Sequence, residues 1–421
     1  MHRRFVQSAI TLIVILVATT PSFAAPQNAS CFRRGVAIHN MMNWAAVEQS
    51  DPSLYVSPAF RGPNYEISDA LLQNVAAAGF DFIRLTVDPG PFLQFFGAQR
   101  DALDQHLIAV VDRLLTKGFC VIVDFHPTTQ VKAYAPDRLD QAIDDPLFLD
   151  YLEVLTRTAR LLTTLQTDCV ALEFMNEPQY GWDVASTARW QRMLELLHSK
   201  IRAVAPNLRI IVTGARGGDA KGLIALNPEP FAESRVFYSF HYYEPHIFTH
   251  QGVKSNQPSA WHWQFVFGLP YPAQSGDPNR VWRNIEQNII NNSALGSSDK
   301  RRALQAVRER VSDYFVSGFN RAQIAADFDA VLRWAQQNRI DPHSIMLGEF
   351  GVTRTYGDYR ASDPNAQEAW MHDVRVEAEH RGFRWALWAL SGYGGMALVA
   401  RDGGETLDPV SLRALGLSGG Y

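Results

Sequence analysis

The chain has 421 residues, 47% hydrophobic and 19% charged, with a formal net charge of −4. Such a composition builds a soluble protein with a large core, and its near-neutral balance excludes a basic surface made for nucleic acid or acidic membranes. The length suits two or three ordinary domains, or a single α/β barrel.

The chain starts with a segment that reads as a leader. Arg3 and Arg4 precede an apolar run from Ile10 to Ala18, and Ser22-Phe23-Ala24 supplies small residues where a signal peptidase reads. A signal peptide is expected over residues 1–24, with cleavage after Ala24, because Pro26 disfavours a cut one residue later. The apolar run is shorter than the ~20 residues a membrane span needs. The mature chain, 25–421, is therefore expected to be secreted or periplasmic, with no membrane contact after cleavage. Cys31, Cys120 and Cys169 are too few for a disulfide-dense scaffold, and their spacing suits no zinc site. Cys120 and Cys169 open predicted neighbouring strands, so either a bridge between them or buried thiols are open outcomes.

From residue 34 a rhythm of apolar strand, polar loop and amphipathic helix begins. Strands are predicted at 34–40, 80–88, 119–127, 171–178, 208–214, 235–243, 345–351 and 383–390. Helices are predicted between them, for example over 68–79 and 102–118, the latter with Gly118 just past its end. Eight strands alternating with helices imply a parallel sheet covered on both faces, and eight is the number that closes a (β/α)8 TIM barrel. An open doubly wound sheet is the rival. The strand ends favour the barrel, because His39, Asp88, His126, Glu177, His241, Glu349 and Trp388 would gather at one opening. One connection, 244–344, is far longer than a loop and a helix require, and marks a large insertion between strands six and seven.

Strand alternation aligns Arg84 with Thr86 and Asp88, Asp124 with His126, Glu173 with Glu177, Ser239 with His241 and Tyr243, and Leu347 with Glu349. Taken as inward faces, these sets bring Arg84, His126, Glu177, His241, Tyr243 and Glu349 to one opening. Two carboxylates across a polar pit suit glycoside hydrolysis, provided their surroundings push their acidities apart. Asn176 and Glu177 cannot both face inward from a regular strand, so a bulge or turn is expected there.

The ALEFMNEP segment at 171–178, with IMLGEFG at 345–351, resembles glycoside hydrolase family 5, the cellulase-type group of retaining (β/α)8-barrel enzymes. The resemblance extends from about residue 34 to 417 and takes in FIRLTV, VDFHP, SFHYY and WALWAL. It implies Glu177 as general acid/base, Glu349 as nucleophile, and Asn176 as the amide that holds the sugar 2-hydroxyl. It also implies that Arg84 orients Glu349, that His126, His241 and Tyr243 wall the subsite, and that Trp388 is its floor, in preference to Trp385. His39, Asn40 and Trp44 are further candidates for substrate binding. Trp261, Trp263, Phe265 and Phe267 alternate at period two; they either pack the insertion on the barrel or offer a sugar platform, Trp261 foremost, and exposed tryptophan would tell which.

Together these readings describe an exported monomer: a retaining endo-β-glucanase acting on a polysaccharide such as cellulose or a bacterial exopolysaccharide, with no cofactor and no metal. A β-mannanase, a β-1,3/1,6-glucanase, and a binding protein that kept the groove without the chemistry are the alternatives.

Overall fold

Eight strands are parallel, each pairs with the next, and the eighth returns to the first. They are β1 (Arg34–Met42), β2 (Phe82–Val87), β3 (Cys120–Phe125), β4 (Val170–Glu173), β5 (Arg209–Thr213), β6 (Val236–His241), β7 (Ile345–Phe350) and β8 (Arg384–Leu387). This closed barrel is the expected fold, seen in a computed structural model that describes residues 31–418 except 180, 234, 256, 356–358, 393, 394 and 402. The expected signal peptide, 1–24, lies outside the described residues. Among the described residues no helix is long and apolar enough to cross a membrane.

Every residue of β2, β3, β6 and β7 is buried, as a parallel sheet covered on both faces requires. The covering helices start and stop where local chemistry directs. Asp69–Ala78 opens on Ser68, whose hydroxyl accepts from the Leu71 N–H, and closes on Gly79 at φ 106°. The helix Gly97–Thr116 begins five residues before its expected start at 102.

The lower end of the barrel is plugged by Phe32, with Phe82, Ile122, Ile211 and Phe237 packed around it. The chain entering β1 thus passes beneath the barrel and carries Cys31 to the base of β3. The disulfide joins Cys31 to Cys120, not Cys120 to Cys169. Cys169 is indeed a neighbour, its Sγ 3.8 Å from that of Cys31, but the strand pattern could not place a cysteine lying ahead of the first strand. The bridge spans 89 residues of sequence, and loop-closure entropy assigns it about 4–5 kcal/mol. Cys31→Ser should lower the urea midpoint accordingly, and reductant should lower the parent protein's midpoint but not the variant's.

The upper end is less regular. Register shifts interrupt β1 against β2 after Ile38, β6 against β7 after Phe240, and β7 against β8 after Leu347. Such breaks re-aim side chains, and here one of them sets Glu349 opposite His241.

Between β6 and β7 the chain forms helices Pro278–Asn291, Ser297–Ser317 and Arg321–Gln337. The first two pack on each other, and the third packs against Pro364–His380 in the outer layer. The aromatic segment before them is not extended, as its period-two alternation suggested. Trp261–Phe265 is a 3-10 turn, so its rings point different ways. Trp261 lies edge-on to Phe265 at 4.9 Å with Arg302 over its ring at 4.2 Å, and it packs against the core. The structure therefore gives Trp261 a packing role in the insertion instead of an exposed platform. Trp263 stacks toward His246 and His250, and His250 meets Tyr243 edge-on at 5.2 Å.

Candidate active site

Arg84 is the hub of the upper opening. It points inward from the middle of β2 and is fully buried. Its Nε and Nη2 donate to the two oxygens of Glu173 at 2.8 and 2.9 Å. Nη2 also donates to Asn176 Oδ1 at 3.0 Å and lies 3.1 Å from Asp124 Oδ2. Nη1 donates to Glu349 Oε1 at 2.6 Å. One planar cation thus ties β2, β3, β4 and β7 together, which a point charge on a flexible stem would not do.

Glu349 is held from its other side by the Tyr243 hydroxyl, which donates to Oε2 at 2.8 Å. The preceding glycine is needed for space. A Cβ on Gly348 would stand 2.5 Å from Ser239 Oγ and 3.1 Å from His241 Nε2. Gly348→Ala should therefore displace His241 and lower activity at least tenfold with the fold retained, a result that parallel circular dichroism and turnover measurements would check.

A second chain of hydrogen bonds orients Asn176. Burial pushes His126 down to about 3, so its ring is neutral. Its Nδ1 faces Asp124 Oδ2 at 2.9 Å and its Nε2 faces Asn176 Nδ2 at 3.2 Å. Only the tautomer with the proton on Nδ1 satisfies both contacts, because the amide nitrogen can only donate. Asn176 is left with one direction, its Oδ1 toward Arg84. Burial also pushes the Asp124 carboxyl up to about 7, against the pull of Arg84.

Glu177 leaves the pit differently. β4 ends at Glu173, and the chain turns so that Glu177 adopts φ 43°, which lets Asn176 and Glu177 both serve the opening. Its Oε1 lies 2.9 Å from His241 Nδ1. About a third of the side chain stays open at the mouth. The protein around it nevertheless desolvates the carboxylate and pushes Glu177 up to about 7, with Arg84 and His246 opposing. One oxygen of Glu177, one of Glu349 and one His241 nitrogen lie within 4.8 Å of one another. These three could offer donors to a cation, but Arg84 already sets a positive charge against Glu349.

Trp388 faces this site from the end of β8, its ring stacked at 15° on His126 with centroids 5.4 Å apart. Trp385 is buried beneath and bonds Glu379. His39 stands edge-on to Trp388 at 4.8 Å, receives the Trp44 indole N–H at 2.7 Å, and contacts Thr86 Oγ1 at 3.0 Å. Asn40 sits at the margin, near Asn64 and Ser391. Asp88, by contrast, is held under the loops, accepting from Tyr55, Thr128 and the Gly90 N–H.

The opening thus gathers Arg84, His126, Asn176, Glu177, His241, Tyr243, Glu349, Trp388, His39 and Trp44, while Trp261 stays in the insertion. Sequence reasoning placed Asp124 and Glu173 on inward faces but gave them no part; their contacts to Arg84 show what they hold.

A family model for cellulase, glycosyl hydrolase family 5, matches residues 37–394. Cellodextrinase A of Ruminococcus flavefaciens is 25% identical over 182 residues, 43% of this chain and 53% of the relative. Endoglucanase 3 of Fibrobacter succinogenes is 21% identical over 342 residues, 76% of this chain and 46% of the relative. The chain therefore spans about half the length of these curated relatives. The cellulose synthase subunit Z of Clostridioides difficile superposes with a TM-score of 0.60 at 21% identity, covering 91% of this chain and 99% of the other. A family 5 xyloglucanase from Paenibacillus pabuli gives 0.63 at 18% identity, with 91% and 98% covered. With a barrel of this shape and a family match across most of its length, the chain belongs to the cellulase family, glycosyl hydrolase family 5.

Proposed function

We propose that the protein is an exported retaining endo-β-glucanase that hydrolyses a β-1,4-linked glucan by double displacement. The observation that carries this reading is the contrast between two neighbouring carboxyl groups. Glu349 receives Arg84 and Tyr243, one donor to each oxygen, which suits an ionised nucleophile. Glu177 is pushed up to about 7 and so keeps a proton to deliver to the leaving oxygen. Their oxygens lie within 4.8 Å. That favours direct attack, for which the carboxyl groups stand about 5–5.5 Å apart, over inversion, which needs about 6.5–9.5 Å to admit a water.

In the first step Glu349 attacks the anomeric carbon while Glu177 protonates the departing sugar. In the second, Glu177, now ionised, takes a proton from water as the water displaces Glu349. Asn176, locked by His126 and Arg84, holds the 2-hydroxyl, and Trp388 underlies the same ring. His39 and Trp44 extend the wall on the glycone side, with Asn40 at its edge.

Export rests on the leader-like residues 1–24, and the Cys31–Cys120 disulfide suits an oxidising compartment. The mature domain would begin at residue 25, which the mass of the exported protein would report. Glucan is preferred over mannan and over β-1,3/1,6-glucan because the named relatives are a cellodextrinase and an endoglucanase.

The test is release of reducing ends from soluble cellulose, mixed-linkage glucan and mannan in the presence of chelator, with viscosity followed in parallel. Cleavage of the β-1,4-glucans with an early fall in viscosity is expected. Binding to a polymer without any cleavage would replace the enzyme by a binding protein.

The pH profile gives a second check. A general acid with its carboxyl near 7 is protonated below that pH and loses its proton above it. Activity on the polymer should therefore fall about tenfold per unit above pH 7. Glu177→Gln should be slow at every pH and lose that limb, while aryl glycosides with acidic leaving groups should lose much less in their glycosylation step. A limb that persists in Glu177→Gln would assign it to another group.

A further inference from the structure

Among the described residues, two tryptophans remain large exposed hydrophobics: Trp44 at 44% and Trp182 at 65%. They lie on opposite sides of the opening. Trp44 follows β1, next to Trp388 after β8, whereas Trp182 follows β4. In a closed ring of eight strands, the β8/β1 rim faces the β4/β5 rim. Glu177 also follows β4, on the side of Trp182, and one of its oxygens lies within 4.8 Å of one of Glu349.

The loops after β4 and β5 are joined edge to edge beside the proposed acid. The Gly217 N–H donates to the Pro178 carbonyl at 2.8 Å. A Cβ on Gly181 would stand 2.2 Å from that of Ala215, and one on Gly218 would stand 3.8 Å from Glu177 Cγ. Outward from this seam lies a cavity of about 520 Å³ lined by Trp182, Val184, Arg216, Lys221 and Asn227, among others. That volume is in the range of sugar-sized sites. Arg216 covers one face of the Trp182 indole, 4.8 Å from the ring, and is itself 3.4 Å from Asp219. With one face occupied and most of the ring still open, the other face is left to solvent. Val184, 88% exposed, lies beside it on the same wall.

We propose that this cavity is a distal aglycone subsite, in which Trp182 is a stacking platform for a neutral pyranose two or more units beyond the cleaved bond. The inference rests on the endo-glucanase reading and deepens it, because it extends the substrate past Glu177 as Trp388 and Trp44 extend it the other way. An indole face matches the C–H face of an equatorially linked pyranose, and Arg216 holds the ring in position. Lys221 and Asn227 supply donors and an acceptor to the hydroxyl groups around the sugar's rim. One chain is then gripped on both sides of the reacting bond, which is how binding energy from remote sugars reaches the reacting centre.

The experiment compares the parent protein with Trp182→Ala and Trp182→Phe on cellohexaose and on an aryl cellobioside, which places no sugar beyond the bond. In Trp182→Ala the ratio of kcat/KM for cellohexaose to that for the aryl cellobioside should fall about tenfold, the scale of one well-stacked aromatic ring. Cleavage of cellohexaose should shift toward its reducing end, leaving fewer sugars on the aglycone side. Trp182→Phe, which keeps a ring, should hold the ratio within about threefold. A purely structural role would lower both activities together and leave the ratio and the cleavage pattern alone, and that result overturns the proposal.

Calorimetric binding of cellohexaose to the Glu349→Gln protein, with and without Trp182→Ala, separates the two levels of inference. If the parent cleaves neither substrate, the glucanase reading falls, while weaker binding in the Trp182→Ala protein still identifies a platform. Unchanged binding removes the platform even if turnover is intact.

Discussion

Glu349→Gln should abolish turnover of the β-1,4-glucan by at least about 10,000-fold, equivalent to about 5.4 kcal/mol of transition-state stabilisation. The amide keeps the shape of the carboxylate and an oxygen for Arg84 or Tyr243, so the fold and substrate binding should survive. What disappears is the negatively charged oxygen that forms the bond to the anomeric carbon. Melting temperature and cellohexaose binding are the controls; both should stay close to those of the parent. A variant that keeps more than about a hundredth of the parent rate would remove Glu349 from the nucleophile's place.

Arg84→Met should cost both stability and activity. The guanidinium stands among Asp124, Glu173 and Glu349, all of them buried. Removing one partner from a buried ion cluster costs about 3–5 kcal/mol, because the charges that remain are uncompensated. Asp124 and Glu173, which burial raises and Arg84 holds down, would then take up protons, and Glu349 would lose the cation that steadies it. A fall of that size in unfolding free energy, with kcat reduced about a thousandfold or more, is expected from urea denaturation and steady-state kinetics. Arg84→Lys should recover part of the stability and little of the activity, since an ammonium cannot bond Glu173 in two places while reaching Asn176 and Glu349. Full activity in the lysine variant would show that charge alone is enough and that the planar fork is incidental.

The strands were legible because each is a short apolar run bounded by polar turns, the signature of strands buried on both faces. Their observed limits differ from the expected ones by a few residues, mostly at the polar upper ends, where β4 stops at Glu173 and not beyond it. The site residues were legible through alternation for Arg84, His126 and His241, because a strand converts sequence spacing directly into direction. Glu349 faces inward only through a register break, since Met346 packs inside the barrel and its expected partner Leu347 packs in the outer core. Asn176 and Glu177 lie past the end of β4, and their shared access to the opening depends on a left-handed backbone at Glu177 that no side-chain pattern encodes.

Where the sequence misled, a local pattern met a different backbone. The alternating aromatic run at 261–267 looked extended, but Trp261–Phe265 is a 3-10 turn, so Trp261 faces its own insertion. Cys31 could not be paired because its position follows from the chain passing beneath the barrel, a tertiary fact. Trp182 carries no periodicity at all. Its importance emerges only when the β4 and β5 loops are seen joined beside Glu177, with the indole open on their outer side.

The central claim is that Glu349 becomes covalently attached to the sugar while Glu177 handles the proton. Incubation with a 2-deoxy-2-fluoro cellobioside bearing an activated leaving group tests it most directly, because the fluorine slows release of the intermediate. The account predicts a mass increase of one fluoro-cellobiosyl unit, located by peptide mapping on Glu349 and absent from Glu349→Gln. A label on another residue, or continued hydrolysis with inversion at the anomeric carbon and no label, would contradict it.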